Sequence, residues 1–239
     1  MERPFTITFS SDVRADAIRI HRSQELPRAL RSIGLHHPCR TLVLIGGASG
    51  LKDVELARVR PLFVDVLAPL VEDLKASVVD GGTDFGVMRL MGWARAQTRA
   101  RFPLIGVSAA RMISLPGTIP SRLDAAPLEP HHSHFVLVPG SNWGDDSPWL
   151  SRVATILSGT NPSVTLLVNG GEIARKDMSQ SVKNGRPVVV VGGTGRLADE
   201  IAAAGDQLPL LSVVDLRDGM EKVAAVVSSL LKGDQDEQV

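Results

Sequence analysis

The chain alternates between short, uninterrupted apolar runs and longer segments in which apolar positions recur at helical spacing. Apolar runs bounded by glycine turns are typical of strands that are buried on both faces of a parallel sheet. We predict such strands over residues 41–45, 76–80, 102–108, 135–138, 164–168, 187–191 and 208–214, after a shorter β-like run at 5–9. We predict helices over residues 24–33, from Pro61 onward with a buried stripe at Leu67, Leu70, Val71 and Leu74, over 86–100, from Pro148 onward, over 197–204 and over 220–231. The alternation predicts an α/β fold with a doubly wound, mostly parallel sheet and helices on both faces.

The composition of the chain mainly excludes classes of fold and partner. No linker-like break divides the 239 residues, so we expect a single domain over 1–239, with an N-terminal extension at 1–40 and a flexible tail at 233–239. Lys+Arg and Asp+Glu are both 26 and aromatic residues are 4%, which disfavours nucleic acid and membrane partners. A single cysteine excludes an intramolecular disulfide framework. No signal-peptide region or membrane-spanning apolar run is found, so a soluble cytoplasmic protein is expected.

Glycine clusters follow four of the predicted strands, at 46–50, 81–84, 169–171 and 192–196. The carboxyl ends of parallel strands lie on one edge, so these clusters should converge on one crevice lined by backbone amides. The cluster at 46–50 matches neither a G-x-G-x-x-G fingerprint nor a P-loop.

The cluster at 81–84 runs into a predicted helix, whose N-terminus suits a phosphate group. Thr83 adds a hydroxyl donor, and Asp84 could cap the helix or accept from a sugar hydroxyl. The alternative is a capped strand-to-helix turn that binds nothing.

Two further segments border the expected crevice. Arg111 comes just after a predicted strand, where its guanidinium could clamp a phosphate. Residues 112–133 are rich in proline and lack periodicity, which indicates an irregular excursion that could act as a lid.

Histidines and carboxylates elsewhere allow other chemistry. His131, His132 and His134 lack the spacing and carboxylate of a known zinc motif, so no metal site is predicted, and His134 is interpreted as a ligand donor or a hydrogen-bonding residue at the start of a strand. His36, His37 and Cys39 are assigned to a surface loop for the same reason. Asp145 and Asp146 could form an acid and base pair, although a solvated loop with Asp146 or Ser147 capping the next helix is the simpler interpretation.

Four motifs in order resemble one family. They are Gly81–Met88 (GGTDFGVM), Leu104–Val107 (LIGV), Leu128–Phe135 (LEPHHSHF) and Pro187–Arg196 (PVVVVGGTGR). Together they resemble the SLOG superfamily, in the TRPM-type (LSDAT) branch and its prokaryotic stand-alone form, over roughly residues 40–230.

The resemblance implies a Rossmann-like fold that binds nucleotides or nucleotide-derived signals such as ADP-ribose or cyclic ADP-ribose. It places the glycine turns and Arg111 at the ligand, and Arg152 more loosely. We predict that the ligand-binding residues are Gly46, Gly47, Gly82, Thr83, Asp84, Gly86, Arg111, His134, Asn169, Gly170, Gly193, Thr194, Gly195 and Arg196. The diphosphate is expected on the turns at 82–86 and 193–196, and the ribose at Asp84 or Asn169. No cofactor beyond the nucleotide is expected. Channel segments are not found, so the expectation is a sensor domain or an enzyme, and a homo-oligomer by analogy.

The superfamily also contains cytokinin-activating phosphoribohydrolases, which share the 81–88 turn. Their second motif, Pro-Gly-Gly-x-Gly-Thr-x-x-Glu, differs here at Val191, Arg196 and Asp199. The alternative function is therefore a nucleotide N-glycosidic hydrolase with Asp84, Asp199 or Glu200 as acid and base. A third interpretation is an interaction module with a vestigial crevice.

Overall fold

The structure is a computed structural model that describes residues 1–47, 53–120, 122–205 and 210–233. Its strands are β1 Phe5–Thr8, β2 Arg14–Arg19, β3 Thr41–Gly46, β4 Ser77–Asp80, β5 Leu104–Ala109, β6 Ile113–Ser114, β7 Ala126–Pro127, β8 His134–Val138, β9 Ser163–Val168, β10 Val188–Gly192 and β11 Leu211–Asp215. Its α-helices are α1 Leu26–Ser32, α2 Asp53–Pro61, α3 Ala68–Asp73, α4 Gly86–Gln97, α5 Ser147–Ser158, α6 Glu172–Lys183, α7 Arg196–Ala204 and α8 Met220–Lys232. None of the helices in these described ranges is long and apolar enough to cross a membrane.

One nine-stranded sheet organises the chain, in the order β1-β2-β8-β5-β4-β3-β9-β10-β11. β1 is antiparallel to β2, and every other neighbouring pair is parallel. The chain builds from β3 toward β8 on one side and then crosses back to place β9 on the other side of β3. This confirms the doubly wound, mostly parallel sheet and creates a topological switch point between β3 and β9.

The sheet is buried on both faces, as the apolar strands require. Along β10, Val189 and Val191 pack into one core with α2–α4 and α8, whereas Val188 and Val190 pack into the other with α1 and α5–α7. Successive side chains of a strand point to opposite faces, so a strand between two helical layers must be apolar along its whole length.

The first 40 residues contribute two strands to this sheet. β2 pairs in parallel with β8 and carries β1 on its outer side. The sequence reading missed β2 because its charged and small residues, Arg14–Arg19, alternate exposed and buried positions instead of forming an apolar run. The predicted tail begins at Gly233, and residues 234–239 lie outside the described residues.

The prediction that a helix starts at Pro61 was wrong. Pro61 ends α2, and a π-helical segment, Leu62–Leu67, continues directly into α3. Proline lacks the N–H that would continue the regular hydrogen-bond ladder, which fits the altered winding that follows it. Leu67 and Val71 are buried as predicted, and Leu70 and Leu74 are partly buried against the same core.

The proline-rich excursion does not form a lid over the switch point. Ile113 and Leu128 pack against Phe135 of β8 in a third core cluster. The short strands β6 and β7 pair with each other, and Leu128 forms a bridge with Thr83. The two ends of this segment therefore pack beside the 81–84 turn, whereas the described residues between Gly117 and Asp124 are exposed.

Candidate functional site

A cavity of about 220 Å³ lies at the carboxyl ends of β3, β4 and β9, at the switch point. We call it the switch-point cavity. Its lining residues are Leu44, Ile45, Gly46, Gly47, Gly81, Thr83, Met88, Trp143, Gly144, Asp146, Leu150, Gly171, Glu172, Ile173, Ala174, Asp177 and Arg196. Open α/β sheets bind ligands at this position because the strand-to-helix turns diverge there.

Glycine is required in these turns by close packing. A Cβ on Gly46 would lie 2.2 Å from the carbonyl oxygen of Val168, so the turn after β3 lies directly against the end of β9. A Cβ on Gly171 would lie 2.6 Å from Nη2 of Arg196, so this guanidinium rests on the Gly171 backbone at the cavity wall. The turns at Gly46 and Gly171 therefore place backbone atoms and the Arg196 guanidinium at the switch-point cavity.

The N-terminus of α6 opens on the cavity. Gly171, Glu172, Ile173 and Ala174 all line it. In the described structure the amides of Ile173 and Ala174 donate to no protein acceptor, since the first helical bond runs from the Arg175 N–H to the Gly171 carbonyl. Free amides and the positive end of the helix dipole can hold an anion here.

The N-termini of α4 and α7, where the sequence predicts phosphate binding, donate hydrogen bonds to neighbouring turns. In α4, the Val87 N–H donates to the Gly47 carbonyl at 3.1 Å. In α7, the Ala198 N–H donates to the Asn169 carbonyl at 3.0 Å. These two amides join neighbouring turns, whereas the Ile173 and Ala174 amides of α6, a helix that the sequence alone does not single out, have no protein acceptor among the described residues.

Asn169 and Thr194 tie the turns after β9 and β10 together. The Asn169 N–H donates to the Thr194 hydroxyl, and the Asn169 side-chain amide donates to the Thr194 carbonyl, both at 2.8 Å. The Gly170 N–H donates to the Asn169 side-chain oxygen at 2.8 Å. Both side chains are buried, and Asn169 adopts a φ of 60° that asparagine tolerates. They shape the cavity without lining it.

The 81–83 turn rests on a buried charged network. Asp80 Oδ1 accepts from the Gly82 N–H at 2.7 Å and lies 2.8 Å from Nε2 of His132. The other nitrogen of His132, Nδ1, lies 2.8 Å from Oε2 of Glu129. Burial opposes a charged imidazole, but the carboxylates of Asp80 and Glu129 outweigh it and raise the pKa of His132 to about 9. A charged His132 donates to both carboxylates.

Of the predicted ligand-binding residues, the structure brings Gly46, Gly47, Thr83 and Arg196 to the cavity. Gly82 packs on β5 instead, since its Cβ would lie 2.7 Å from the Cα of Gly106. Gly86 and Gly195 begin α4 and precede α7, with φ of 50° and 99°. The predictions at 48–50 fall outside the described residues.

Three predicted ligand residues lie elsewhere. The Asp84 carboxylate accepts from Nε of Arg89 at 2.7 Å, and it does not cap α4. Arg111 lines a separate cleft of about 330 Å³ with Arg19. His134 begins β8, at the edge of the sheet opposite the glycine turns, and its Nδ1 lies 2.8 Å from the Ser133 hydroxyl.

The carboxylates proposed for hydrolysis do not line the cavity. The Gly193 N–H donates to Asp199 at 2.6 Å, and both residues border another cleft, beside β11. Glu200 pairs with Arg175 on the surface, with Nη2 2.6 Å from Oε2. The exposed Arg152 of α5 does not contribute to the cavity either.

Two half-buried carboxylates line the cavity instead. Asp146 occupies the N-cap position of α5 as predicted, but its side chain makes no capping hydrogen bond. Burial raises the pKa of Asp146 to about 6. Burial also raises the pKa of Asp177 to about 7, although the nearby Ser147 hydroxyl lowers it. Asp177 lies on a polar helix with no distinguishing motif, so only its packing beside α5 identifies it. No group of three or more metal-ligating side chains occurs among the described residues.

An apolar wall completes the site. Leu44, Met88 and Leu150 form its inner part, while Trp143 and Ile173 lie near the mouth and are 40% and 38% exposed. Trp143, to which the sequence alone assigns no role, stands in the loop after β8, at the edge where ligands of open α/β sheets bind. Large exposed apolar side chains beside polar groups are typical of ligand sites.

Comparison with known proteins agrees with this architecture. In solved structures, the X-ray structure of TM1055, a Northeast Structural Genomics Consortium target, matches with a TM-score of 0.55 at 15% identity, covering 79% of this chain and 98% of that chain. At this identity the likeness supports the fold alone.

Curated relatives are cation channels. The Rattus norvegicus transient receptor potential cation channel subfamily M member 2 is 24% identical over 208 residues, covering 71% of this chain and 13% of the channel. The Nematostella vectensis subfamily M member-like 2 protein is 24% identical over 212 residues, covering 73% of this chain and 14% of that protein. The chain thus spans only a small part of the length of these relatives.

The family model described as "SLOG in TRPM, prokaryote" matches residues 39–230, which include every strand of the cavity and all four glycine turns. The chain therefore belongs to this prokaryotic LSDAT branch of the SLOG superfamily.

Proposed function

We propose that the protein binds a nucleotide-derived ligand of the ADP-ribose type in the switch-point cavity. The observation that carries this proposal is the position of the cavity between β3 and β9, where the free amides of α6 and the guanidinium of Arg196 meet the glycine turns. Membership of the SLOG family supports a nucleotide-related function.

The donors suit a phosphate group. The amides of Ile173 and Ala174 point from a helix N-terminus, and Arg196 can form a bidentate pair with phosphate oxygens. Glycines at positions 46, 47 and 171 let a ligand approach the backbone closely. The negative charge of Glu172 at the same wall limits the favourable field, so a ligand with few phosphate charges fits better than a triphosphate.

The mouth suits a base. Trp143 and Ile173 present apolar surface there, and a nucleobase can stack on an aromatic side chain. The cavity volume of about 220 Å³ is below the roughly 300–1,000 Å³ of sites that enclose drug-sized ligands. Part of a dinucleotide-sized ligand would therefore lie in the open mouth against these two side chains.

Isothermal titration of the purified protein with ADP-ribose, followed by chromatography of the ligand, tests the proposal. Saturable heat with intact ligand is expected for a binding protein, and binding would then act by shifting a conformational equilibrium. If ADP-ribose, cyclic ADP-ribose, NAD and AMP at millimolar concentration produce neither heat nor a change in melting temperature, the proposal is wrong.

A second candidate is nucleotide N-glycosidic hydrolysis. The specific observation in its favour is that two carboxylates, Asp146 and Asp177, line the cavity and that burial raises the pKa of Asp177 to about 7, as suits a general acid near neutral pH. Release of free base in the same chromatography, abolished in Asp177→Ala, would favour it. Intact ligand after prolonged incubation would leave binding as the function.

A further inference from the structure

Asp146 and Asp177 come from different elements and meet at one wall of the switch-point cavity. Asp146 precedes α5, and Asp177 lies one and a half turns into α6, which packs against α5. Both are half-buried, and the buried Ser147 hydroxyl lies beside Asp177. The wall is therefore formed by the turn that ends at Asp146 and by α6, and the packing of α5 on α6 holds the two together.

Neither carboxylate is committed to a cation. Within the described ranges, neither forms an ion pair with an arginine or lysine, in contrast to Asp84, which pairs with Arg89. The charged groups that face them are each other, Asp145 beside Asp146, and Lys176 beside Asp177. Glu172 and Arg196 are the other charged residues of the cavity lining.

The cavity thus has two chemically different walls. The α6 amides and Arg196 only donate hydrogen bonds, which suits phosphate oxygens. Ionised carboxylates only accept them, which suits hydroxyl groups. The residues that the sequence assigned to the ribose are used elsewhere, since Asp84 is held by Arg89 and Asn169 by Thr194 and Gly170.

We propose that Asp146 and Asp177 accept hydrogen bonds from the ribose hydroxyls of the ligand and make the site selective for a ribose with free hydroxyls. This inference rests on the proposed function of the cavity. A deoxyribose lacks one donor, and a 2′-phosphate would bring negative charge against two carboxylates. Both kinds of analogue should therefore bind more weakly than the free ribose form.

The test compares ADP-ribose with its 2′-deoxy, terminal-ribose 2″-deoxy and 2′-phospho analogues by isothermal titration. The proteins are the unmodified chain, Asp146→Asn, Asp177→Asn and the control Asp73→Asn. Asp73 is exposed at the end of α3 and does not line the cavity. Circular dichroism and melting temperature verify that each variant is folded.

The unmodified protein and Asp73→Asn should bind ADP-ribose about 10- to 100-fold more tightly than at least one deoxy analogue, as expected for a lost hydrogen bond to a charged group. In Asp146→Asn or Asp177→Asn the ribose form should lose this advantage, while the affinity for that deoxy analogue changes little. The loss of selectivity, and not merely of affinity, distinguishes recognition from a structural role.

Equal affinity of the unmodified protein for ribose and deoxy forms would overturn the inference without any variant. Selectivity retained in both asparagine variants would overturn it as well, while leaving nucleotide binding intact. If the unmodified protein binds none of these analogues, the inference is wrong, and if it also binds none of cyclic ADP-ribose, NAD and AMP, the proposed function is wrong with it.

Discussion

Nε2 of His132 lies 2.8 Å from Oδ1 of Asp80, and both side chains are buried. The same Asp80 oxygen accepts from the Gly82 N–H, so the pair joins the loop before β8 to the turn that borders the cavity. Removing either partner of a buried charged pair is strongly destabilising, because the other charge is then left buried and uncompensated.

We expect His132→Ala to lower the free energy of unfolding by about 3–5 kcal/mol, because it leaves the carboxylates of Asp80 and Glu129 without their shared donor. His131 also contacts Glu129, but its side chain is 33% exposed, so His131→Ala should cost much less. Urea unfolding of both variants measures the difference. Equal losses of unfolding free energy in the two variants would contradict the larger contribution that we assign to the buried His132.

The same network predicts how stability depends on pH. The folded pKa of His132, about 9, lies above the value of about 6.5 for an unperturbed histidine. The folded state therefore binds the proton more tightly, so the contribution of His132 is complete below about pH 6.5 and is lost as the pH rises through 9. Unfolding free energies at pH 6, 8 and 10 should show this decline, and His132→Ala should lack it.

The cavity carboxylates, unlike His132, should destabilise the folded protein when they are charged. The folded pKa values of Asp146 and Asp177, about 6 and 7, lie above the unfolded value of about 3.9. Stability is therefore lost as the pH rises from about 4 through 7, where burial must hold charged groups. Asp177→Asn should raise the free energy of unfolding by about 1–3 kcal/mol at pH 8 and change it little at pH 4. A destabilised variant at pH 8 would contradict this.

Gly92 of α4 has no room for a side chain. A Cβ there would lie 1.9 Å from Oε2 of Glu129, in the middle of the buried network. Gly92→Ala should therefore lower the free energy of unfolding by about 1–3 kcal/mol, although alanine favours helices by about 1 kcal/mol. Gly117→Ala is the control, since nothing lies within 4 Å of its Cβ and only its φ of 71° opposes the change. Melting temperatures rank the two variants.

Arginine substitutions separate the two clefts. If the ligand lies in the switch-point cavity, Arg196→Ala should weaken ADP-ribose binding about 10-fold or more through loss of a charge-assisted contact. Arg152→Ala, at an exposed residue of α5 that does not line the cavity, should leave binding unchanged.

Arg111→Ala should also leave binding unchanged, because Arg111 borders the separate cleft with Arg19. Titration of the three variants decides between the clefts. A loss confined to Arg111→Ala would move the ligand to the Arg19 cleft and contradict our assignment.

The sequence by itself determined the features that depend on local chemistry. Apolar, β-branched runs such as Val188–Gly192 predict strands covered on both faces, and glycines at strand ends indicate where backbone can approach a ligand. Because parallel strands share a direction, the four glycine turns had to meet at one edge of the sheet. The family motifs added the expectation of a nucleotide-related function.

Only the tertiary structure decided which groups at that edge remain available. The Val87 amide of α4, the Ala198 amide of α7 and the side chain of Asn169 are bonded to neighbouring turns, whereas the Ile173 and Ala174 amides have no acceptor in the described structure. Asp146 meets Asp177 because α5 packs on α6, and His132 meets Asp80 across 52 positions of sequence. Such pairings depend on long-range packing and burial, and no local pattern of residue types records them.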